Sequence, residues 1–165
     1  MKCPECGTPM KVTREDHPYV ESGLPNVRLL GVEFRICPKC GEREMAIPRL
    51  EQLLRTIALA VAEKSARLTG AEIRFLRKHF GWSGEDFART MGVTPFTVSR
   101  WENEKEPMGA TAERLLRLMA LRDRPVAVYP NERLSDIAQG DARPIPLALR
   151  ASKNGWTTAQ AARLV

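Results

Sequence analysis

The sequence predicts a mainly α chain headed by a small metal-clipped β domain, with a helix-turn-helix bundle behind it. Three observations predict that fold. All four cysteines stand in two matched knuckles, Cys3-Pro-Glu-Cys6-Gly7 and Cys37-Pro-Lys-Cys40-Gly41. Strand-like patterning lies between the knuckles, whereas apolar residues beyond Pro48 recur at helical spacing. The helical stretch is also punctuated by capping signals at Thr69, Ser83 and Thr94.

The knuckles come first. In each, two sulfurs three positions apart can grip one ion while Gly7 or Gly41 lets the backbone turn beneath it. Four soft thiolates with no open coordination position describe a structural site, so Cys3, Cys6, Cys37 and Cys40 are expected to hold one zinc ion per chain. Iron in a rubredoxin-like site suits the same donors. A disulfide framework would suit a secreted chain, but Met1-Lys2-Cys3 opens without an apolar signal segment. A redox dithiol uses one pair rather than two. His17 and His79 are not needed as ligands.

Residues 1–48 form the expected β domain. Met10–Glu15 and Val27–Ile36 read as strands, the second with Val32, Phe34 and Ile36 on one face and Glu33 and Arg35 on the other. Gly23, Pro25 and Asn26 supply a turn. So small a unit is expected to depend on its metal for much of its stability. Its charged residues balance, so the net charge of +6 lies in the residues beyond it. That bias permits nucleic-acid binding without requiring it. No apolar run approaches membrane-spanning length, and cysteines reserved for metal suit a reducing compartment. The chain is therefore expected to be cytoplasmic.

Pro48 marks the start of a linking helix over 49–68, in which Leu50, Leu53, Leu54, Ile57 and Val61 share one face. Four helices are expected within 69–122. Thr69-Gly-Ala-Glu72 is a capping box, followed by Ile73, Leu76 and Phe80 on one face and ended by Gly81. Ser83 caps the second helix, Trp82 and Phe87 staple it, and Gly92 closes it. Thr94 caps the third with Pro95 at its first position and a staple of Val93 and Val98. The fourth spans Ala110–Leu121. Beyond residue 122 the signals weaken, and Pro125, Pro130, Pro144 and Pro146 argue for extended segments. The stretch 123–165 is expected to be an accessory extension with a short helix near Asn131–Gln139 and a helical turn or two within Thr157–Leu164.

Two short helices joined through Gly92-Val93-Thr94, with small Ala88 where they approach, satisfy the requirements of a helix-turn-helix. Helical geometry turns Val98 and Trp101 inward and Phe96, Thr97 and Arg100 outward, with Pro95 and Ser99 at the margins. Such a face suits the major groove of double-stranded DNA. Arg100 can fork onto guanine O6 and N7, Thr97 can reach a base edge or phosphate, and Phe96 can pack on a thymine methyl. Thr94 and the free N–H groups at the helix start suit phosphates. The competing reading is a helical bundle that binds protein.

Ser99-Arg100-Trp101-Glu102 followed by Pro107 resembles the helix-turn-helix of phage-repressor-type (XRE, Cro/C1-like) regulators. With the Cys-x-x-Cys domain ahead of it, residues 1–122 resemble the MqsA-like antitoxins that carry a YgiT-type zinc finger. The resemblance implies a homodimer that represses its own operon at a palindromic operator and binds a small ribonuclease toxin through the zinc domain. Some positions depart from the family pattern. A common glutamine is Gly84 here, and the base-reading asparagine falls at Phe96, although its arginine partner matches Arg100. The turn after the recognition helix, usually Gly-containing, reads Asn103-Glu104-Lys105-Glu106, with Asn103 expected in the left-handed position.

A transcription regulator is thus expected, either an antitoxin or a stand-alone zinc-containing protein with no toxin partner. An enzyme is not: the four-sulfur site leaves no open position, and no acid/base or nucleophile constellation accompanies it.

Overall fold

The computed structural model describes residues 1–122 and 139–159. Strand β1 (Lys11–Pro18) pairs antiparallel with β2 (Val27–Ile36) through a 3-10 turn at Val20–Ser22 that ends on left-handed Gly23. The other edge of β2 is divided between two partners. Its C-terminal half, Glu33–Ile36, pairs antiparallel with β3 (Arg43–Ala46). Its N-terminal half, Val27–Leu30, pairs parallel with β6 (Leu147–Ser152), which folds back antiparallel onto β7 (Gly155–Ala159). The alternation read in β2 is real: Val27, Leu29, Val32 and Phe34 are buried. Helix α1 (Leu50–Glu63) turns Leu53, Ile57 and Val61 into the same core.

Four more helices follow a two-residue strand β4 (Ala66–Arg67): α2 (Gly70–His79), α3 (Gly84–Met91), α4 (Pro95–Glu102) and α5 (Ala110–Leu121). The caps fall where they were expected. Thr69 and Ser83 each form a complete capping box, with Glu72 and Asp86 as the answering carboxylates. Hydrogen bonds from the Ser83 side chain and backbone hold the Asp86 carboxyl below its ordinary range. Thr94 caps α4 with Pro95 just inside. The predicted order, N-terminal strands with the four cysteines in the loops beside them and then a helical bundle, is observed, and the whole is mixed α/β.

The C-terminal stretch is extended where it is described, as its prolines suggest, but it departs from expectation in its helices and its packing. The proposed helix near Asn131–Gln139 lies outside the described residues up to 138, and Gln139–Ala142 is strand β5, paired with β4. Thr157–Ala159, expected to be helical, belongs to β7. Nor are 139–159 an appendage. Leu147, Leu149 and Trp156 are buried in the shared core, and the Trp156 indole N–H donates to the Pro48 carbonyl at 2.7 Å. The physical reason is the unfilled edge of β2: its Val27–Leu30 half needs a partner strand, and β6 supplies one.

Buried charge joins the layers. Lys64 and Glu72, both nearly inaccessible, pair at 2.5 Å, while the Lys64 ammonium also donates to the Arg143 carbonyl at 2.6 Å. Burial lowers the Lys64 pKa although Glu72 pulls the other way. Arg117, fully buried on α5, pairs with Glu113 at 2.6 Å and donates to the carbonyls of Ala62, Lys64 and Ala66. Glu113 also accepts from the Leu68 N–H at 2.8 Å. The loop between α1 and α2 is therefore held by charge-assisted hydrogen bonds as well as by buried Leu68.

Candidate nucleic-acid interface and metal centre

The two knuckles have the same backbone. Gly7 N–H donates to Cys3 carbonyl at 2.9 Å and Gly41 N–H to Cys37 carbonyl at 3.0 Å, both glycines at positive φ. Cys3 N–H and Cys37 N–H each donate at 2.9 Å to the carbonyl on the far side, of Thr8 and Glu42. The β1–β2 and β2–β3 pairings bring these loops together. All four sulfurs lie within 4.8 Å of one another, with Cys6–Cys37, Cys3–Cys40 and Cys6–Cys40 at 3.4, 3.5 and 3.6 Å. Tetrahedral zinc–sulfur bonds would set sulfurs about 3.8 Å apart, so the donors fit such an ion with little movement.

Their electrostatics point the same way. Backbone hydrogen bonding from Cys40 brings the Cys37 thiol down to about 6. A backbone hydrogen bond from Glu42 favours the Cys40 thiolate, but competition from Cys37, Cys3 and Cys6 pushes that thiol up to about 12. Four clustered thiols cannot all ionise unless a cation balances them. His17 packs edge-on against Phe34 at 5.3 Å and His79 stacks on Phe75 at 6.3 Å, and neither belongs to the cluster.

The second site is built on α3 and α4. Gly92 takes φ 68°, and Val93 N–H closes back onto the Ala88 carbonyl at 2.9 Å, the glycine-terminated turn expected there. A chain of rings, Phe80–Trp82 at 4.7 Å, Trp82–Phe87 at 6.0 Å and Phe87–Trp101 at 6.4 Å, carries α2, α3 and α4 on one apolar support. Val98 and Trp101 are buried beneath α4 as expected.

The outer face of α4 holds the six residues named from sequence. Thr94, Pro95, Phe96 and Ser99 are exposed, Phe96 to 70%, while Thr97 and Arg100 are half-buried. Thr94 Oγ1 accepts from the Thr97 N–H at 3.2 Å, leaving the Pro95 and Phe96 positions at the helix start. Ser99 is partly engaged, since the Asn103 amide donates to its carbonyl at 2.8 Å and to its hydroxyl at 3.3 Å. Arg100 lies 5.6 Å over the Phe96 ring, with its Nε 2.9 Å from a Glu106 carboxylate oxygen.

The turn after α4 differs from expectation. Glu104, not Asn103, takes the left-handed conformation at φ 56°. The helix extends through Glu102, so the reversal falls one residue later. Lys105 N–H then reaches the Arg100 carbonyl at 2.9 Å and Glu104 N–H the Trp101 carbonyl at 3.3 Å.

Sequence reasoning missed what anchors this end of α4. Glu102 receives a two-pronged contact from Arg77, Nε at 2.5 Å and Nη2 at 3.2 Å, and a third from Arg74 Nε at 3.0 Å. The N-terminus of α2 abuts it so closely that a Cβ on Gly70 would lie 2.5 Å from the Glu102 carbonyl oxygen. Pairs 25 and 28 residues apart leave no local signal. Burial would raise the Glu102 pKa, but Arg77 and Arg74 together hold it below the ordinary carboxylate range. Its stabilisation is therefore complete above the ordinary value and is lost as pH falls through the lowered one. Glu102→Gln is expected to cost about 1–3 kcal/mol near neutrality. The gap to wild type should close on acidification, as thermal melts across pH would show. A gap independent of pH would mean the carboxylate charge is not what anchors α4.

Residues 73–122, from within α2 through α5, match a family model described as helix-turn-helix. No curated protein and no solved structure matches the chain. No helix among the described residues is long and apolar enough to cross a membrane. The match identifies an XRE-type helix-turn-helix domain and supports a DNA-binding transcription regulator.

Proposed function

We propose that this helix-turn-helix protein is a sequence-specific, cytoplasmic repressor that binds a palindromic operator as a homodimer. We further propose that it is an MqsA-like antitoxin that represses its own operon and binds a small ribonuclease toxin through its cysteine domain. The observation that carries the DNA reading is the exposed face of α4, held on a support of rings and ion pairs. Arg100 would take guanine in the major groove, Phe96 a neighbouring methyl, and Thr97 and Ser99 a base edge or phosphate. Thr94 and Pro95 would sit at the backbone, beside the N–H groups of the helix start. Two copies would place these helices in successive major grooves, about 34 Å apart. Cys3, Cys6, Cys37 and Cys40 would hold one structural zinc ion per chain, whose charge balances the thiolates and closes the knuckles. The protein would act by binding, not by catalysis.

A second reading is a stand-alone regulator without a toxin. The completion of the N-terminal sheet by β6 and β7 favours it, because it gives the cysteine domain a structural role within one shared core.

The test is titration of the purified protein against DNA from its own upstream region and against random DNA. Arg100→Ala is expected to cost about 1–3 kcal/mol on the first and little on the second. Equal weakening of both would refute base reading by Arg100. Co-purification with the product of a short adjacent gene would separate the antitoxin from the stand-alone regulator.

A further inference from the structure

Three glutamates close α4 and the turn after it, and the fold uses only two of them. Glu102 is the anchor for Arg74 and Arg77. Glu104 accepts from the Gly70 N–H at 2.9 Å, capping the start of α2. Among the described residues the Glu106 side chain bonds no backbone group: it pairs with Arg100 Nε, and both side chains remain about half exposed. Its place is nevertheless well defined. Pro107 behind it restricts its backbone to extended conformations, Met108 beyond is buried, and the Lys105 N–H pins the turn to the Arg100 carbonyl.

We infer that Glu106 is a specificity-determining residue that positions Arg100 for guanine and opposes its use on phosphate. The inference rests on the DNA-binding reading above. Glu106 occupies Nε from one side and the Phe96 ring lies under the guanidinium, so the plane is held from an edge and a face. The bond to Glu106 runs through Nε, so it leaves the two terminal nitrogens to form the fork that matches guanine O6 and N7. The carboxylate also places a negative charge beside the Arg100 guanidinium, where it would repel an approaching phosphate. Arg100 cannot leave Glu106 for a phosphate without bringing two anions together, whereas end-on guanine recognition keeps the ion pair intact.

The experiment uses the full-length protein to select a preferred duplex from a random pool. That duplex and a scrambled one are then titrated with wild type, Glu106→Gln, Arg100→Ala and the double variant. Glu106→Gln is expected to raise affinity for the scrambled duplex about threefold, the effect of one additional arginine–phosphate pair. It should lower the preferred-to-scrambled ratio about tenfold. In the Arg100→Ala background it should leave that ratio unchanged. A ratio unaltered by Glu106→Gln alone, with the preferred duplex still bound, overturns the inference and spares DNA reading. An equal fall with and without Arg100 shows bulk charge alone and also overturns it. A pool yielding no preferred sequence overturns both.

Discussion

A chain ending at Arg122 is expected to lose its cooperative melting transition rather than shed an inert tail. Removing β6 leaves the Val27–Leu30 half of β2 without a partner on that edge and uncovers Leu29, which is fully buried. It also removes the buried side chains of Leu147, Leu149 and Trp156 from the core. Two polar losses follow: the Pro48 carbonyl loses the Trp156 indole, and buried Lys64 loses the Arg143 carbonyl. Single substitutions scale the effect. Trp156→Ala is expected to cost about 3–5 kcal/mol and Leu149→Ala about 2–5 kcal/mol. A domain holds only about 5–15 kcal/mol in all, so the combined loss is of the same size as the stability itself. Calorimetry on the truncated and full chains decides it. A truncated chain that melts like the full one would mean that β6 and β7 lie on the core without supporting it.

The residues that were legible are those whose reasons are local. Thr69 with Glu72, Thr94 with Pro95, and Gly92 after Met91 declare helix ends within a few positions, and each stands where it was read. The paired knuckles are equally local, and their sulfurs meet because β1, β2 and β3 bring the loops together. What could not be read depends on distant partners. Leu147 and Leu149 alternate like strand residues, yet Pro144 and Pro146 before them suggested a loose extension, and only the vacant edge of β2 explains their place. Lys64 and Arg117 look like surface cations until Glu72 and Glu113 are seen buried beside them. On the outer face of α4, Arg100 was legible as a side chain turned away from the core. Its tie to Glu106 was not, because it depends on a turn that reverses at Glu104 instead of Asn103.

Cys37→Ser, or stripping the metal with a chelator, is expected to open the knuckles while the remainder of the fold stays assembled. Cys3 and Cys37 are the buried cysteines, and the residues around them, Pro4, Glu5, Pro38 and Lys39, are exposed and contribute no apolar core. On the proposed reading, a bound ion would be the main reason for residues 1–10 and 37–42 to hold one conformation, beyond the backbone hydrogen bonds of the knuckles. For small sites of this donor set, metal binding is worth about 10–16 kcal/mol, and the share coupled to folding is lost with the metal. The sheet beyond the knuckles has a second source of stability, since Leu29 and Val32 pack in a core shared with α1, β6 and β7. The bundle carrying α4 is anchored by Arg74, Arg77 and the ring chain, none of which touches the cysteines. Metal content should therefore fall from one ion per chain, amide exchange should rise in the knuckles, and selective DNA binding should persist. If DNA binding disappears together with the metal, the cysteine cluster and the helix-turn-helix form a single cooperative unit. Metal loading would then control access to the operator.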